Sequence, residues 1–379
     1  MRWLAAALLT LVLASPAAGH KASDAYLTLE RDGTSLRGQW DIALRDLDNV
    51  LALDADGDGQ ITWGELRARH ADIAAYALSH LSIASGGQAC PLRVESHLVE
   101  THTDGAYAVL ALAGRCAEAA PTLAIDYTLF ADVDPQHRGL LNLVEDGASR
   151  SHVLGARGSH AVVGGAAGGA LGQLVAYVHE GVWHIWLGFD HILFLVSLLL
   201  PAVLVRSDRT WQPAPSFRAS FGEVAKVVTA FTAAHSITLT LATLGVVALP
   251  SRWVESAIAL SVVLAALNNV APVVGSGRWI AAFAFGLLHG FGFAGALQDL
   301  GLPTDGLALS LAGFNVGVEL GQLAIVAAFL PLAYAIRATV AYRRVVLAGG
   351  SLAIAAVAAV WLAERALDVP LFAALAAVR

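Results

Sequence analysis

From Trp183 onward the chain is a succession of apolar runs, each long enough to cross a bilayer, and this feature excludes most folds. A hydrocarbon core about 30 Å thick calls for ~20 apolar residues in a helix. Within it only helices and closed barrels satisfy every backbone amide. Six runs qualify: Trp183 to Val205, Phe221 to Val247, Trp253 to Val273, Trp279 to Leu297, Leu307 to Ile336 and Val345 to Leu362. The residues before about Ser151 are of mixed polarity and carry most of the acidic side chains. The expected fold class is therefore an α-helical membrane bundle of six transmembrane helices, preceded by a small exported β-rich (α+β) domain with an EF-hand insertion. A content of 57% hydrophobic and 14% charged residues fits no ordinary soluble enzyme, and a net charge of −7 argues against nucleic acid as a partner.

The boundaries read as a signal peptide at 1–19, an exported domain at 20–150, a linker with an interfacial helix at 151–182, the membrane domain at 183–364 and an external tail at 365–379. Arg2, the apolar core Leu4 to Ala14, and Ala17 and Gly19 before His20 make the secretory signal. Basic residues gather in alternate joints: Arg206, Arg209, Arg218 and Lys226, then Arg278, then Arg337, Arg343 and Arg344. The opposite joints hold Arg252 alone, or Asp299 and Asp305. The positive-inside rule then predicts a bacterial-type inner membrane protein with its N-terminal domain and C-terminus on the external, periplasmic side.

In the exported part, alternating residues on either side of Asp32-Gly33 predict a β-hairpin, with further strands at Leu92 to Glu100, Ala106 to Ala113 and Thr122 to Phe130. Asp132 to Gly139 reads as a turn-rich exit, and the Gly/Ser/Ala-rich stretch Gly155 to Gly169 as a linker. Cys90 and Cys116 are expected to form a disulfide in an oxidising compartment. Residues 54–65 match the calcium loop of an EF-hand. Asp54, Asp56 and Asp58 occupy its first, third and fifth positions, Gly59 makes the turn, and Gln60, Thr62 and Glu65 complete the shell. His20 reads as an ordinary polar residue. His70, His80, His97, His102, His137 and His152 lack tight ligand spacing and read as surface or satisfied domain residues.

The membrane part places ionisable groups where they are costly, which marks them as functional candidates. The first run opens with His184 and, six and seven residues on, Asp190 and His191. On a continuous helix the two histidines share one face, separated by about 10 Å. The second run carries His235 and Ser236, the third Glu255, Asn268 and Asn269, the fourth His289, and the fifth Asn315, Glu319 and Gln322 on one face. Asn268 and Asn269 alone suit interhelical hydrogen bonding, and Glu255 can snorkel to the surface. Taken together, the histidines and carboxylates favour a polar, metal-binding cavity over a purely structural network. Gly188, Gly290, Gly292, Gly317 and Gly321 beside them permit close helix approach.

His-x(5)-Asp-His in the first run, Ala-His-Ser in the second, Leu-His-Gly-Phe-Gly-Phe-Ala in the fourth and Phe-Asn-x-Gly-Val-Glu-x-Gly-Gln in the fifth resemble the HupE/UreJ family. The match is best to its branch with an exported N-terminal domain. The resemblance implies nickel or cobalt permeation, with His184, Asp190, His191 and His289 as metal positions. The chain departs from the family's fuller His-Gly-x-Ala-His-Gly-x-Glu pattern, since Phe293 and Ala294 stand where a second histidine is expected. Donor chemistry agrees on a divalent ion: imidazole and carboxylate suit Ni, Co or Zn, whereas copper(I) calls for Met or Cys, which these runs lack. The metal ion is then the substrate and the bilayer the medium; no protein partner is specified. Permeation would begin at His184, Asp190 and His191 and continue through His235, His289 and Glu319. Two rivals stand beside a permease: an intramembrane zinc-dependent hydrolase, and a metal- or calcium-responsive sensor.

Overall fold

The structure, a computed structural model, describes residues 23–102, 105–134, 137–145, 148–155, 159–164, 170–207, 210–274, 277–292 and 304–367. The signal peptide, His20, Phe293, Ala294 and all but the first residues of the tail lie outside these. The chain divides into two compact units, one built on His20–Ala176 and one on Tyr177–Ala294 and Leu311–Arg379.

The N-terminal unit opens with β1 (Asp24–Asp32) and β2 (Ser35–Ala43), paired antiparallel around a turn in which Gly33 adopts a positive φ of 56°. Alternation sends Leu27, Leu29, Trp40 and Ile42 into the core. Three helices follow, α1 (Leu44–Leu51), α2 (Trp63–Ala68) and α3 (His70–Ser79). The remaining strands are β3 (Leu81–Ser85), β4 (Gln88–Ala89), β5 (Leu92–His102), β6 (Gly105–Arg115), β7 (Leu123–Tyr127), β8 (Arg138–Glu145), β9 (Ala148–Gly155) and β10 (Ser159–Val163). They make a six-stranded sheet, β5-β6-β2-β1-β8-β9, and a four-stranded sheet, β10-β7-β3-β4. Trp40 and Leu110 from the first and Ile83 and Ile125 from the second share one core. The expected Cys90–Cys116 disulfide is present and joins residues 26 apart.

Three strands lie beyond the expected end of the β-region. β8 runs parallel to β1 and its middle is buried on both faces, so it reads as a continuous apolar run rather than an alternating one. β10 falls inside the stretch read as linker; its Ala161 sits opposite Ile125 of β7, and the surrounding glycines and serines hide so short a strand.

His137 is buried in this unit, with Nδ1 2.6 Å from Ser23 Oγ and Nε2 2.7 Å from Tyr127 Oη. Burial, helped by the charge of Arg138, lowers its pKa to about 3. Because the unfolded chain takes up the proton at the ordinary value of 6.5 and the folded chain does not, stability is intact above pH 6.5 and falls as pH drops toward 3. Lowering pH from 7 to 5 is expected to remove about 2 kcal/mol through this residue alone. Urea midpoints at the two pH values, compared with His137→Gln, check this; equal slopes for both chains would refute it.

The helical elements are α4 (Ala170–Leu187), α5 (Phe189–Leu199), α6 (Phe217–Thr243), α7 (Ser251–Val270), α8 (Arg278–His289), α9 (Thr304–Ile336), a π-helical segment (Tyr342–Gly349) and α10 (Gly350–Leu367), with a hairpin of β11 (Leu204–Ser207) and β12 (Thr210–Pro213) between α5 and α6; the second unit takes α4 from Tyr177 and α9 from Leu311. Ser216 caps α6 by accepting from Ala219 N at 3.2 Å. Six spans are expected; among the described residues four helices are long and apolar enough to cross a membrane, or five with the bent pair α4–α5 counted as one. The expected span Trp279 to Leu297 is described as helix only to His289. The first expected span is broken at Gly188, and its end, Val205, belongs to β11.

Helices α6 and α9 run antiparallel: Phe217 meets Tyr334 near one end, with ring centroids 5.4 Å apart, and His235 meets Phe314 further along. Small residues set the close contacts. A Cβ on Gly317 would lie 2.9 Å from Gly181 Cα, and one on Gly290 would strike Thr238 and the His235 carbonyl.

Candidate metal centre

The break between α4 and α5 overturns the reading of His184 and His191 as two turns apart on one straight helix. The two helices bend by 73° at Gly188, which leaves the helical conformation at ψ 95°. The fold-back brings the His184 and His191 rings to 4.5 Å between centroids. Gly188 is required by contact rather than by φ: a Cβ there would sit 2.7 Å from His191 Nδ1 and 2.8 Å from the His184 carbonyl. Asp190, in the first turn of α5, accepts from the His191 amide at 2.9 Å.

α6 contributes His235, completely buried, at 6.3 Å from His184 and 6.5 Å from His191 between centroids. One ligand atom from each of His184, His191 and His235 lies within 4.8 Å of the other two. α8 adds His289, whose ring is 5.3 Å from that of His191. Phe194, Phe231 and Phe314 pack against these imidazoles and wall them with apolar rings.

Second contacts decide which nitrogens face the cluster. His191 Nδ1 lies 3.0 Å from Asp190 Oδ1, and His289 Nδ1 donates to the Phe285 carbonyl at 2.9 Å. With those protons placed on Nδ1, Nε2 of each ring carries a lone pair, and both Nε2 atoms are buried with no hydrogen-bond partner among the described residues. Among the described residues neither ring nitrogen of His235 makes a geometrically sound hydrogen bond, although Asn315 adjoins it. Each such buried, unsatisfied group costs about 1–3 kcal/mol. A cation shared by several of them would offset that cost.

Asp190 is placed beside the cluster rather than within the group of mutually close ligands, in the position of a carboxylate that orients a ligating histidine. Its other oxygen is 3.8 Å from Arg365, which also lies 3.9 Å from Glu255. Arg365 was expected at the start of the tail; α10 instead continues to Leu367 and turns this guanidinium back onto α5 and α7. Two carboxylates within apolar runs were the signal that a counter-charge must exist.

The remaining expected residues take other places. Glu319 accepts from Thr229 at 3.2 Å, and Gln322 from Thr232 at 3.1 Å, so α9 meets α6 on its N-terminal side of His235. Ser236 donates to the Thr232 carbonyl of its own helix at 2.7 Å. Asn269 donates to the Ser197 carbonyl at 2.7 Å and to Ser351 at 3.1 Å, tying α5, α7 and α10 together. Asn268 accepts from the amides of Val273 and Val274 and closes the end of α7. Glu255 accepts from Ser251 at 2.5 Å.

In the N-terminal unit, one oxygen from each of Asp54, Asp56 and Asp58 lies within 4.8 Å of the others. Gly57 and Gly59 adopt positive φ and donate to Asp54 at 2.8 and 2.9 Å. Gln60 N donates to Asp58 at 2.7 Å. Glu65 closes the loop, accepting from Ala55 N at 2.8 Å while also taking Thr62 N and Thr62 Oγ1. These hydrogen bonds lower the Glu65 pKa, that from Thr62 N most.

A β-rich N-terminal domain followed by a multi-pass helical bundle with clustered histidines defines a membrane protein with a candidate intramembrane metal centre. A family model described as HupE/UreJ protein matches residues 164–365, over half of the chain. The chain belongs to the HupE/UreJ family, which is associated with nickel and cobalt uptake. No curated protein matches it.

Proposed function

We propose that the protein is a permease for a divalent transition metal of the nickel and cobalt class, with His184, His191, His235 and His289 as the ligating site. The observation that carries this reading is the meeting of imidazoles from α4, α5 and α6, with buried Nε2 atoms on His191 and His289 that have no hydrogen-bond partner among the described residues. Asp190 holds His191 in the ligating tautomer and lends the site negative charge. Protonation of the imidazoles competes with the metal, because only the neutral ring offers a lone pair.

A route onward is supported by the polar pairs Thr232–Gln322 and Thr229–Glu319. They line the α6–α9 contact between His235 and the end where Arg337 donates to the Ala214 carbonyl at 3.2 Å. That end carries the basic joints, so the positive-inside rule makes it cytoplasmic and leaves the N-terminal domain outside. The hydrolase reading is weaker, since the Ser236 hydroxyl is committed to its own backbone. The 54–65 loop is read as a calcium site, its oxygen-only donors and glycine turn fitting that ion.

Proteoliposomes loaded with a metal-sensitive dye test the permease. Saturable entry of nickel or cobalt that Glu319→Gln slows about tenfold is expected. Zinc retained stoichiometrically without flux of any divalent ion would overturn it.

A further inference from the structure

We propose that Asp41, Glu100 and His102 form a second divalent-metal site, on the outer face of the six-stranded sheet. Their ligand atoms lie within 4.8 Å of one another. Register explains the meeting. Glu100 and His102 alternate on β5 and share a face; Glu100 sits opposite Tyr107 of β6, and Val109 two residues on sits opposite Asp41 of β2. His102 pairs with Gly105, which has no side chain, and its ring leans along the sheet past Tyr107 to reach Asp41.

The imidazole is held, not loose. It stacks on Tyr26 with centroids 5.1 Å apart and planes within 4°, and packs against Tyr107 at 4.3 Å. This clamp presents Nε2 to Asp41 Oδ2 at 3.0 Å. Two ligands at adjacent corners of an octahedron with ~2.1 Å bonds stand about 3.0 Å apart. The hydrogen-bonded spacing matches that of adjacent ligands, so an ion that displaces the proton shared by Nε2 and the carboxylate would enter with little movement of either group. Glu100, exposed at the rim, supplies the third corner and leaves the others to water.

The burial of Asp41 bears on the same point. This residue is 5% exposed, yet its partners among the described residues are a neutral amide, Gln39 at 2.9 Å, and His102. No arginine or lysine among the described residues pairs with it. A carboxylate this buried is stabilised by positive charge, which comes from His102 while its ring is protonated and, with the ring neutral, from a dication coordinated between the two. A mixed carboxylate–imidazole set with open positions takes nickel, cobalt, manganese or zinc in preference to a soft ion.

The site is independent of the membrane histidines, and cobalt(II) titration of the full chain in detergent with excess calcium separates the two. Six-coordinate oxygen-rich cobalt absorbs weakly, whereas a four-coordinate histidine site absorbs strongly. The intact protein is expected to bind one weakly absorbing equivalent that survives combined His191→Ala and His235→Ala substitution. Glu100→Gln, at an exposed position that cannot disturb the core, is expected to weaken that equivalent about tenfold, and His102→Ala to abolish it. A weakly absorbing equivalent unchanged in both Glu100→Gln and His102→Ala, or no such equivalent in the intact protein, overturns the proposal.

Discussion

His191→Ala is expected to weaken nickel or cobalt binding by the membrane domain at least about 100-fold, more than the 10- to 100-fold typical of losing an outer partner. The substitution removes the Nε2 lone pair and leaves Asp190 facing Arg365 alone. Asp190→Asn should fall within the smaller range, because the amide still orients the ring but carries no charge. Equilibrium dialysis with the detergent-solubilised chain ranks the two. Asp190→Asn proving the more damaging would make that carboxylate a direct ligand and reverse the roles assigned to the pair.

Calcium should raise the unfolding temperature of the N-terminal unit. At a calcium concentration 100 times the dissociation constant the native state gains about 2.7 kcal/mol, which for a unit of this size corresponds to a shift of roughly 5–11 °C. Glu65→Gln, which loses the charge that spans the loop from its last position to Ala55, is expected to abolish most of the shift while folding normally without calcium. Differential scanning calorimetry with and without chelator reads this directly. An identical unfolding temperature in both conditions rules calcium out of the loop.

Periodicity and composition carried much of the architecture but little of the site's geometry. The hairpin Asp24–Ala43 was legible because its alternation and Gly33 turn are local, and the apolar helices because length alone identifies them. β8 escaped because a strand buried on both faces has no period of two, and β10 because five residues among glycines give too little pattern. The histidines were found as residue types, yet their mutual distances depended on one glycine. Treating Gly188 as a helix interior put His184 and His191 a full two turns apart, whereas the bend brings the rings into contact. Gly188 followed by Phe-Asp, a breaker and then an acidic first turn, was the available sign. The contacts of Arg365 and Thr229 are not legible in the sequence because their partners come from sequence-distant helices. Asp41, Glu100 and His102 were separated in the same way, being joined only by strand order.

α8 stops at His289, and the turn beyond it uses its last carbonyls only in part, the Phe285 oxygen accepting from the imidazole itself. A helix C-terminus bears a partial negative charge of roughly half an electron, built from peptide dipoles that never take up a proton. The ring of His289 stands in that field. Part of the attraction for a dication at this point is therefore built from the backbone itself, and no side-chain substitution removes it.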